Sequence, residues 1–337
     1  MNICHTLAPP KSNEYNHRMY FTVFKQLAIM ALIAVVGFSV TKIFKFGKTE
    51  QQFFSKILLY VVNPCVIFNI FNVEYSSDRL KELSVAFLLS WVAHIALTVL
   101  AVIFCRSKKP ELKPELKDLD YLDRIAVVFT NSGFIGIPLI NGVFGQAGAF
   151  YLMGYLAVFN IYLWTFGYYM VTRKMQPLKI ITNPNIIAVV AGIIFFCIPG
   201  QLPDIIASPV KHISDTNAAV SMLLLGMLFA TFKKPSGSFK EFVLRIAKTT
   251  FIRLVLSAVV MFFIAWGTMS LFGSMQNMRL ISYVIFIAAL CPVGMSVSSL
   301  AVVFNRDESY SSMLVAISSA MCILTLPLSV AIAERFF

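Results

Sequence analysis

Long apolar blocks separated by short polar connections dominate the pattern of this chain. The block 21–44 carries Lys25 near its start and Lys42 near its end, and is otherwise almost free of charge. A run of about 20 apolar residues crosses a bilayer core as a helix, because a helix satisfies its own backbone hydrogen bonds. The pattern predicts ten spans, at about 21–44, 53–72, 82–105, 121–144, 147–171, 185–199, 213–232, 246–272, 280–304 and 310–333.

Composition agrees with a chain that lies in a lipid bilayer. The sequence is 58% hydrophobic and 13% charged, with a mean hydropathy of +0.78, whereas a soluble domain has about 25% charged residues. We therefore predict an all-α polytopic membrane protein, with residues 1–337 as a single transmembrane domain. The segment 204–215 is mildly amphipathic and is expected to lead into the seventh span.

The distribution of positive charge predicts the orientation. The formal net charge is +12, but the basic residues lie in short connections between apolar blocks, so a nucleic-acid partner is not indicated. Connections 1–2, 3–4, 5–6, 7–8 and 9–10 carry most of the Lys and Arg residues. The positive-inside rule places these connections in the cytoplasm, and with ten spans both termini then lie outside the plasma membrane.

Ten spans divide into two halves of five. Repeat one covers about 20–171 and repeat two about 184–333. An odd number of spans per half gives the second half the opposite orientation, an arrangement common in secondary transporters.

The fourth span of each half carries helix-breaking residues near its middle. Proline removes a backbone donor and glycine permits unwinding, so the freed backbone groups must be buried in protein or line a wet cavity. Interrupted helices at matching places point to a binding site, and the half-helix after each break presents a positive end to a carboxylate. The predicted substrate-binding residues here are Asn131, Ser132, Gly133, Pro292, Val293 and Gly294, with Gly136 and Pro138 as helix-breaking residues.

Two further spans carry polar or helix-breaking residues. Pro64 follows Asn63 in span two, where either a third break or a simple kink fits the pattern. Asn160 lies in the middle of span five, where it either lines the site or bonds a neighbouring helix. Asn63 and Asn160 complete the predicted substrate-binding set.

Ionisable residues limit the mechanism. We expect no Asp or Glu deep in any apolar block, which argues against a carboxylate-based proton pump and for an anionic substrate. Lys25 and His94 are the deep ionisable candidates. His94 either couples protons or bonds a neighbouring helix, and sodium coupling through backbone carbonyls stays open. Motifs of enzymes, metal sites and cofactor sites are missing from the sequence, so none of these is predicted.

The sequence resembles the auxin efflux carrier family, which includes bacterial malate permease-like proteins. The stretches that carry the resemblance are Asn131–Leu139 (NSGFIGIPL), Val158–Gly167 (VFNIYLWTFG), Asn183–Val189 (NPNIIAV), Leu223–Leu228 (LLLGML) and Cys291–Phe304 (CPVGMSVSSLAVVF). The resemblance implies two inverted five-helix repeats, a scaffold bundle and a moving bundle, and a substrate site where the broken spans four and nine cross. Thr130 stands where plant members have proline, and the connection between spans five and six is short. Both departures favour a bacterial-type carrier.

We therefore predict a secondary transporter that moves a small organic anion, such as malate, by alternating access. A passive anion channel and a membrane-embedded anion sensor are the alternatives. The coupling ion, H⁺ or Na⁺, and the oligomeric state, a homodimer included, stay open.

Overall fold

Helices make up almost all of the described structure. The computed structural model describes residues 19–73, 75–105, 114–172, 181–198, 202–231, 239–304 and 306–336. Its helices are α1 Met19–Phe44, α2 Lys48–Phe71, α3 Ser77–Phe104, α4 Pro114–Val128, α5 Ser132–Thr172, α6 Pro184–Cys197, α7 Asp204–Ala230, α8 Lys240–Phe272, α9 Met278–Leu290, α10 Met295–Val303 and α11 Glu308–Ala333.

Seven of these helices are long and apolar enough to cross a membrane, counted over the described ranges: α1, α2, α3, α5, α7, α8 and α11. The shorter helices α6 and α9 are also apolar. Large apolar side chains face outward on the long helices, among them Leu32, Leu88 and Leu324. An apolar surface of this extent matches a lipid environment.

The fourth predicted span is not one helix. Its first half is α4, and its second half is continuous with the predicted fifth span as α5. The chain bends within α5 at Gly145, whose φ of 64° lies in the left-handed region that favours glycine. The amphipathic segment 204–215 is helical and joins the following apolar helix as α7, as expected.

Pro64 does not interrupt α2. Residues Leu58–Val62 form a π-helical turn, and the helix continues from Asn63 to Phe71. Proline cannot donate a backbone hydrogen bond, and its ring collides with the preceding turn of a regular helix. The wider turn accommodates both effects, so the third helix break at Pro64 is wrong and the structure has a local distortion of a continuous helix there.

Close backbone packing joins α1 to α7. A Cβ atom placed on Gly226 would lie 2.0 Å from the carbonyl oxygen of Ala34, and one on Gly37 would lie 2.3 Å from that of Leu223. Small residues allow membrane helices to approach this closely. Elsewhere α2 packs along α6, α3 along α5, and α8 along α9. The end of α4 and the length of α9 are buried at the centre of the molecule.

Candidate functional site

The breaks in the two interrupted spans meet at the centre of the protein. The Asn131 backbone N–H donates to the Pro292 carbonyl over 2.8 Å, and the Gly294 N–H donates to the Phe129 carbonyl over 2.8 Å. These bonds form a single antiparallel bridge between the two extended segments. We call the two segments, residues 129–131 and 291–294, the crossing.

Glycine is required on one side of the crossing. A Cβ atom on Gly294 would lie 2.7 Å from the Thr130 carbonyl oxygen and 3.1 Å from that of Phe129. Both neighbours are backbone atoms that the bridge holds in place. A Cβ atom on Gly133 would meet no heavy atom within 4 Å. Gly294 therefore has no room for a side chain, whereas Gly133 has.

The predicted helix-breaking residues of span four lie after its break. Gly136 is in the π-helical turn Ser132–Gly136, and Pro138 is in the first turn of the regular helix that follows. The π-helical turn before Pro138 accommodates its ring and its missing N–H, as the turn before Pro64 does in α2. The non-helical residues are instead 129–131, which corrects the predicted roles of Gly136 and Pro138.

A small cavity of about 30 Å³ lies beside the crossing. This volume is close to the space that one water molecule occupies in the liquid. Four predicted substrate-binding residues line it: Asn63, Asn131, Gly133 and Asn160. Polar residues that the sequence interpretation did not select also line it: Thr130, Trp164, Asn185 and Ser296.

Several polar atoms around this cavity are buried and have no hydrogen-bond partner among the described residues. They are both side-chain amide atoms of Asn131, the indole N–H of Trp164, the amide oxygen of Asn185 and the hydroxyl of Ser296. Most buried polar groups in folded proteins are paired, and leaving one unpaired costs about 1–3 kcal/mol. This concentration of unpaired polar atoms makes the cavity the candidate binding site.

The other predicted substrate-binding residues do not line the cavity. Ser132 is buried beside it, and its hydroxyl also has no partner among the described residues. Pro292, Val293 and Gly294 form the crossing itself and are absent from the cavity lining. Their effect on a substrate would therefore be to hold the two half-helices in place.

His94 is fully buried and lies away from the cavity lining. Its Nδ1 is 2.7 Å from the Ser90 carbonyl in the same helix, rather than bonded to a neighbouring helix as one interpretation held. Its ring packs 4.7 Å from that of Tyr155, whose hydroxyl is 3.3 Å from the Thr130 hydroxyl. His94 thus reaches the crossing through Tyr155.

Three residues near the crossing were not selected from the sequence. Trp164 follows Asn160 by four residues, which places both on one helix face, and this spacing could have identified it. Asn185 comes from α6, which carries no break. Arg253 is a basic residue inside the apolar block 246–272, and it is fully buried. Lys25 and His94 were therefore not the only deep ionisable residues.

Two carboxylates at the ends of predicted spans are also buried in protein. Asp123 accepts hydrogen bonds from Arg245 over 2.7 Å and from Thr249 over 2.8 Å, which ties α4 to α8. Glu82 accepts one from Tyr151 over 2.6 Å, which ties α3 to α5. Both lie near the starts of spans that were predicted to hold no deep acidic residue. Their hydrogen bonds to neighbouring helices indicate a packing role.

Comparison with known proteins decides the family. A family model described as "Membrane transport protein" matches residues 22–180 and 171–330. The chain belongs to the auxin efflux carrier family. The resemblance noted in the sequence is thereby confirmed, and a comparison with curated proteins found no match. This is a family of transporters and not of enzymes, so the carrier is a multi-pass membrane protein with a transported small-molecule substrate.

Two larger pockets lie in a row beside the cavity of this carrier, because neighbouring pockets share lining residues. Leu59 and Met295 line both the small cavity and a pocket of about 220 Å³. That pocket shares Gln51 and Glu308 with an outer pocket of about 460 Å³. At its rim Lys48 pairs with Glu308 over 2.5 Å. The outermost of these pockets lies at the connection between α1 and α2, where Phe46, Gly47 and Lys48 line it.

Proposed function

We propose that this protein is a secondary active transporter that moves a small organic anion, a carboxylate such as malate, across the plasma membrane by alternating access. The observation that carries the proposal is the group of buried, unpaired polar atoms around the crossing of two broken helices. A carrier needs polar groups that are not already hydrogen-bonded within the protein, because these groups bind the substrate.

The chemistry of this group favours a carboxylate. Asn131 and Trp164 supply N–H donors, and Ser132 and Ser296 supply hydroxyls. The helices α5 and α10 begin directly after the crossing, and helix N-termini attract anions through their unpaired N–H groups and their dipole. We propose Asn131, Ser132, Gly133, Asn160 and Asn63 as substrate-binding residues. Pro292, Val293 and Gly294 are proposed to shape the site.

We further propose ten membrane crossings arranged as two inverted repeats. In this arrangement α4 and the first part of α5 form the fourth crossing, and α9 with α10 forms the ninth. The cytoplasmic side is the one at which the α1–α2 connection lies, so both termini are extracytoplasmic. The row of pockets that starts near Lys48 would then lie between the cytoplasm and the substrate site.

Transport by this arrangement requires a movement between helices. A cavity of about 30 Å³ holds roughly one water molecule, which is much less than a dicarboxylate needs. We propose that the helices carrying the crossing move against α1, α2, α6 and α7, which widens the cavity towards each side in turn. His94 is a candidate for proton coupling, and sodium is the other candidate coupling ion.

Uptake of labelled malate into proteoliposomes tests the proposal. Sodium gradient, pH gradient and membrane potential are imposed one at a time, so that the effective gradient names the coupling ion. Saturable uptake is expected in the wild type and in Asn141→Ala, which changes an exposed asparagine of α5. Uptake is expected to fall roughly tenfold to hundredfold in Asn131→Ala. The site assignment fails if Asn131→Ala and Pro292→Ala both transport normally.

The passive channel and the anion sensor are separated by the same vesicles. A carrier exchanges internal unlabelled malate for external labelled malate, whereas a channel shows no such counterflow. A sensor binds malate without any flux. If the wild type takes up no malate under any of the gradients, malate is excluded as the substrate.

A further inference from the structure

Arg253 donates hydrogen bonds only to backbone carbonyls beside the crossing, as far as the described residues show. It lies in the π-helical turn Ile252–Leu256 of α8 and is fully buried. Its Nε donates to the Cys291 carbonyl over 3.1 Å, its Nη1 to the Val127 carbonyl over 2.8 Å, and its Nη2 to the carbonyls of Cys291 and Ala289. Within the described ranges, no ion pair includes Arg253.

The accepting carbonyls belong to two different helix ends. Val127 is in the last turn of α4, and Ala289 is in the last turn of α9. The last four carbonyls of a helix have no partner inside it, and together they carry about half a negative charge. One guanidinium therefore bonds one carbonyl at the end of α4 and two at the end of α9. Its planar fork of five N–H donors suits several acceptors, which a lysine ammonium does not match.

The charge of Arg253 has a consequence for a ligand. The crossing brings two helix C-termini, which are negative, close to the two N-termini of α5 and α10, which are positive. An anion at the N-termini would be repelled by the C-termini. The positive charge of one arginine offsets the two half-charges of the C-termini, so the N-termini determine the potential that the ligand meets.

We propose that Arg253 is a positioning and specificity-determining residue: it fastens the ends of α4 and α9 together and makes the crossing accept an anion. The substrate part of this inference rests on the proposed function. The fastening part does not, since it concerns only the contacts of Arg253 with the two helix ends.

Two measurements on the purified full-length carrier test the two parts. Hydrogen exchange in lipid nanodiscs follows the backbone N–H groups of Asn131 and Gly294, which hold the crossing. Malate uptake into proteoliposomes gives KM and the maximal rate. The variants are Arg253→Gln, which removes the charge, and Arg253→Lys, which keeps the charge without the fork. Lys248→Gln is the control, since it removes an exposed positive charge from the same helix.

We expect exchange at both N–H groups to be roughly tenfold faster in Arg253→Gln, because the crossing loses its anchor. We expect KM for malate to rise roughly tenfold as well, since the helix C-termini are no longer neutralised. Compared with Arg253→Gln, Arg253→Lys should have a KM closer to that of the wild type, while its exchange at the crossing should stay fast. Lys248→Gln should match the wild type in both measurements.

Unchanged exchange at the crossing in Arg253→Gln overturns the proposal. A lower maximal rate with unchanged KM overturns its specificity part, because loss of folded carrier alone gives that result. If Arg253→Gln does not fold, wild-type exchange in Arg253→Lys overturns the fastening part. If the wild type itself takes up no malate, the proposed substrate is wrong, and hydrogen exchange still decides the role of Arg253.

Discussion

The two sides of the crossing differ in how completely their polar groups are paired. On the side of the helix C-termini, Arg253 donates to three carbonyls, and the Val293 N–H donates to the Ser318 hydroxyl over 3.1 Å. On the side of the cavity, the amide of Asn131 and the indole N–H of Trp164 have no partner among the described residues. On the proposed function, this difference means that one side supports the broken helices and that the other is kept for a ligand.

The largest expected effect separates transport from stability at Asn131. We expect Asn131→Ala to lower malate uptake roughly tenfold to hundredfold, the equivalent of a lost hydrogen bond to a charged group. The temperature of unfolding should stay the same or rise, because the removed amide has no partner. Thermal unfolding and uptake measured on one preparation check both statements. A clear loss of thermal stability would instead make Asn131 a structural residue of the crossing.

A pair of glycine variants tests how tightly the backbone is packed at the crossing. Gly294→Ala places a methyl group 2.7 Å from the Thr130 carbonyl oxygen, and overpacking of this kind costs about 1–3 kcal/mol. Gly133→Ala is the matched control, because the added methyl group meets no atom within 4 Å. We expect Gly294→Ala alone to lower the temperature of unfolding in detergent. Equal effects of the two substitutions would contradict the close approach at Gly294.

Adjacent serines of α11 offer a smaller version of the same comparison. The Ser318 hydroxyl accepts the N–H of Val293, whereas the Ser319 hydroxyl has no partner among the described residues. Ser318→Ala should lower the free energy of unfolding by about 1–2 kcal/mol, since it leaves a buried N–H unpaired. Ser319→Ala should be neutral. Denaturant unfolding of both variants checks the difference, and a reversed order would contradict it.

The smallest effect is expected at Trp164. Trp164→Phe removes the indole N–H and keeps an aromatic ring, so malate uptake should fall roughly threefold to tenfold, the range of one hydrogen bond to an uncharged group such as the malate hydroxyl. Stability should not fall, as at Asn131. Initial uptake rates at several malate concentrations provide the measurement. An unchanged rate would remove Trp164 from the proposed site and leave Asn131 as its main donor.

Much of the site could be predicted because its signals are local in sequence. Proline and glycine inside the apolar blocks predicted interrupted helices in spans four and nine, and the family resemblance implied that these two breaks cross. The structure brings the segments around Asn131 and Pro292 together. The residues that interrupt span four were not, because Gly136 and Pro138 fit into helical turns and the extended residues are 129–131.

The sequence by itself determined that this chain is a helical membrane protein, because long apolar blocks follow from local chemistry, and its motifs carried the resemblance to the auxin efflux carrier family. Only the tertiary structure decided which polar groups find partners. Arg253, Trp164 and Asn185 come from three different helices, and their roles depend on carbonyls and cavities that distant segments supply. Hydrogen bonding between remote parts of the chain leaves no pattern in a single sequence. Here it distinguishes the paired groups that hold the crossing from the unpaired groups around the cavity.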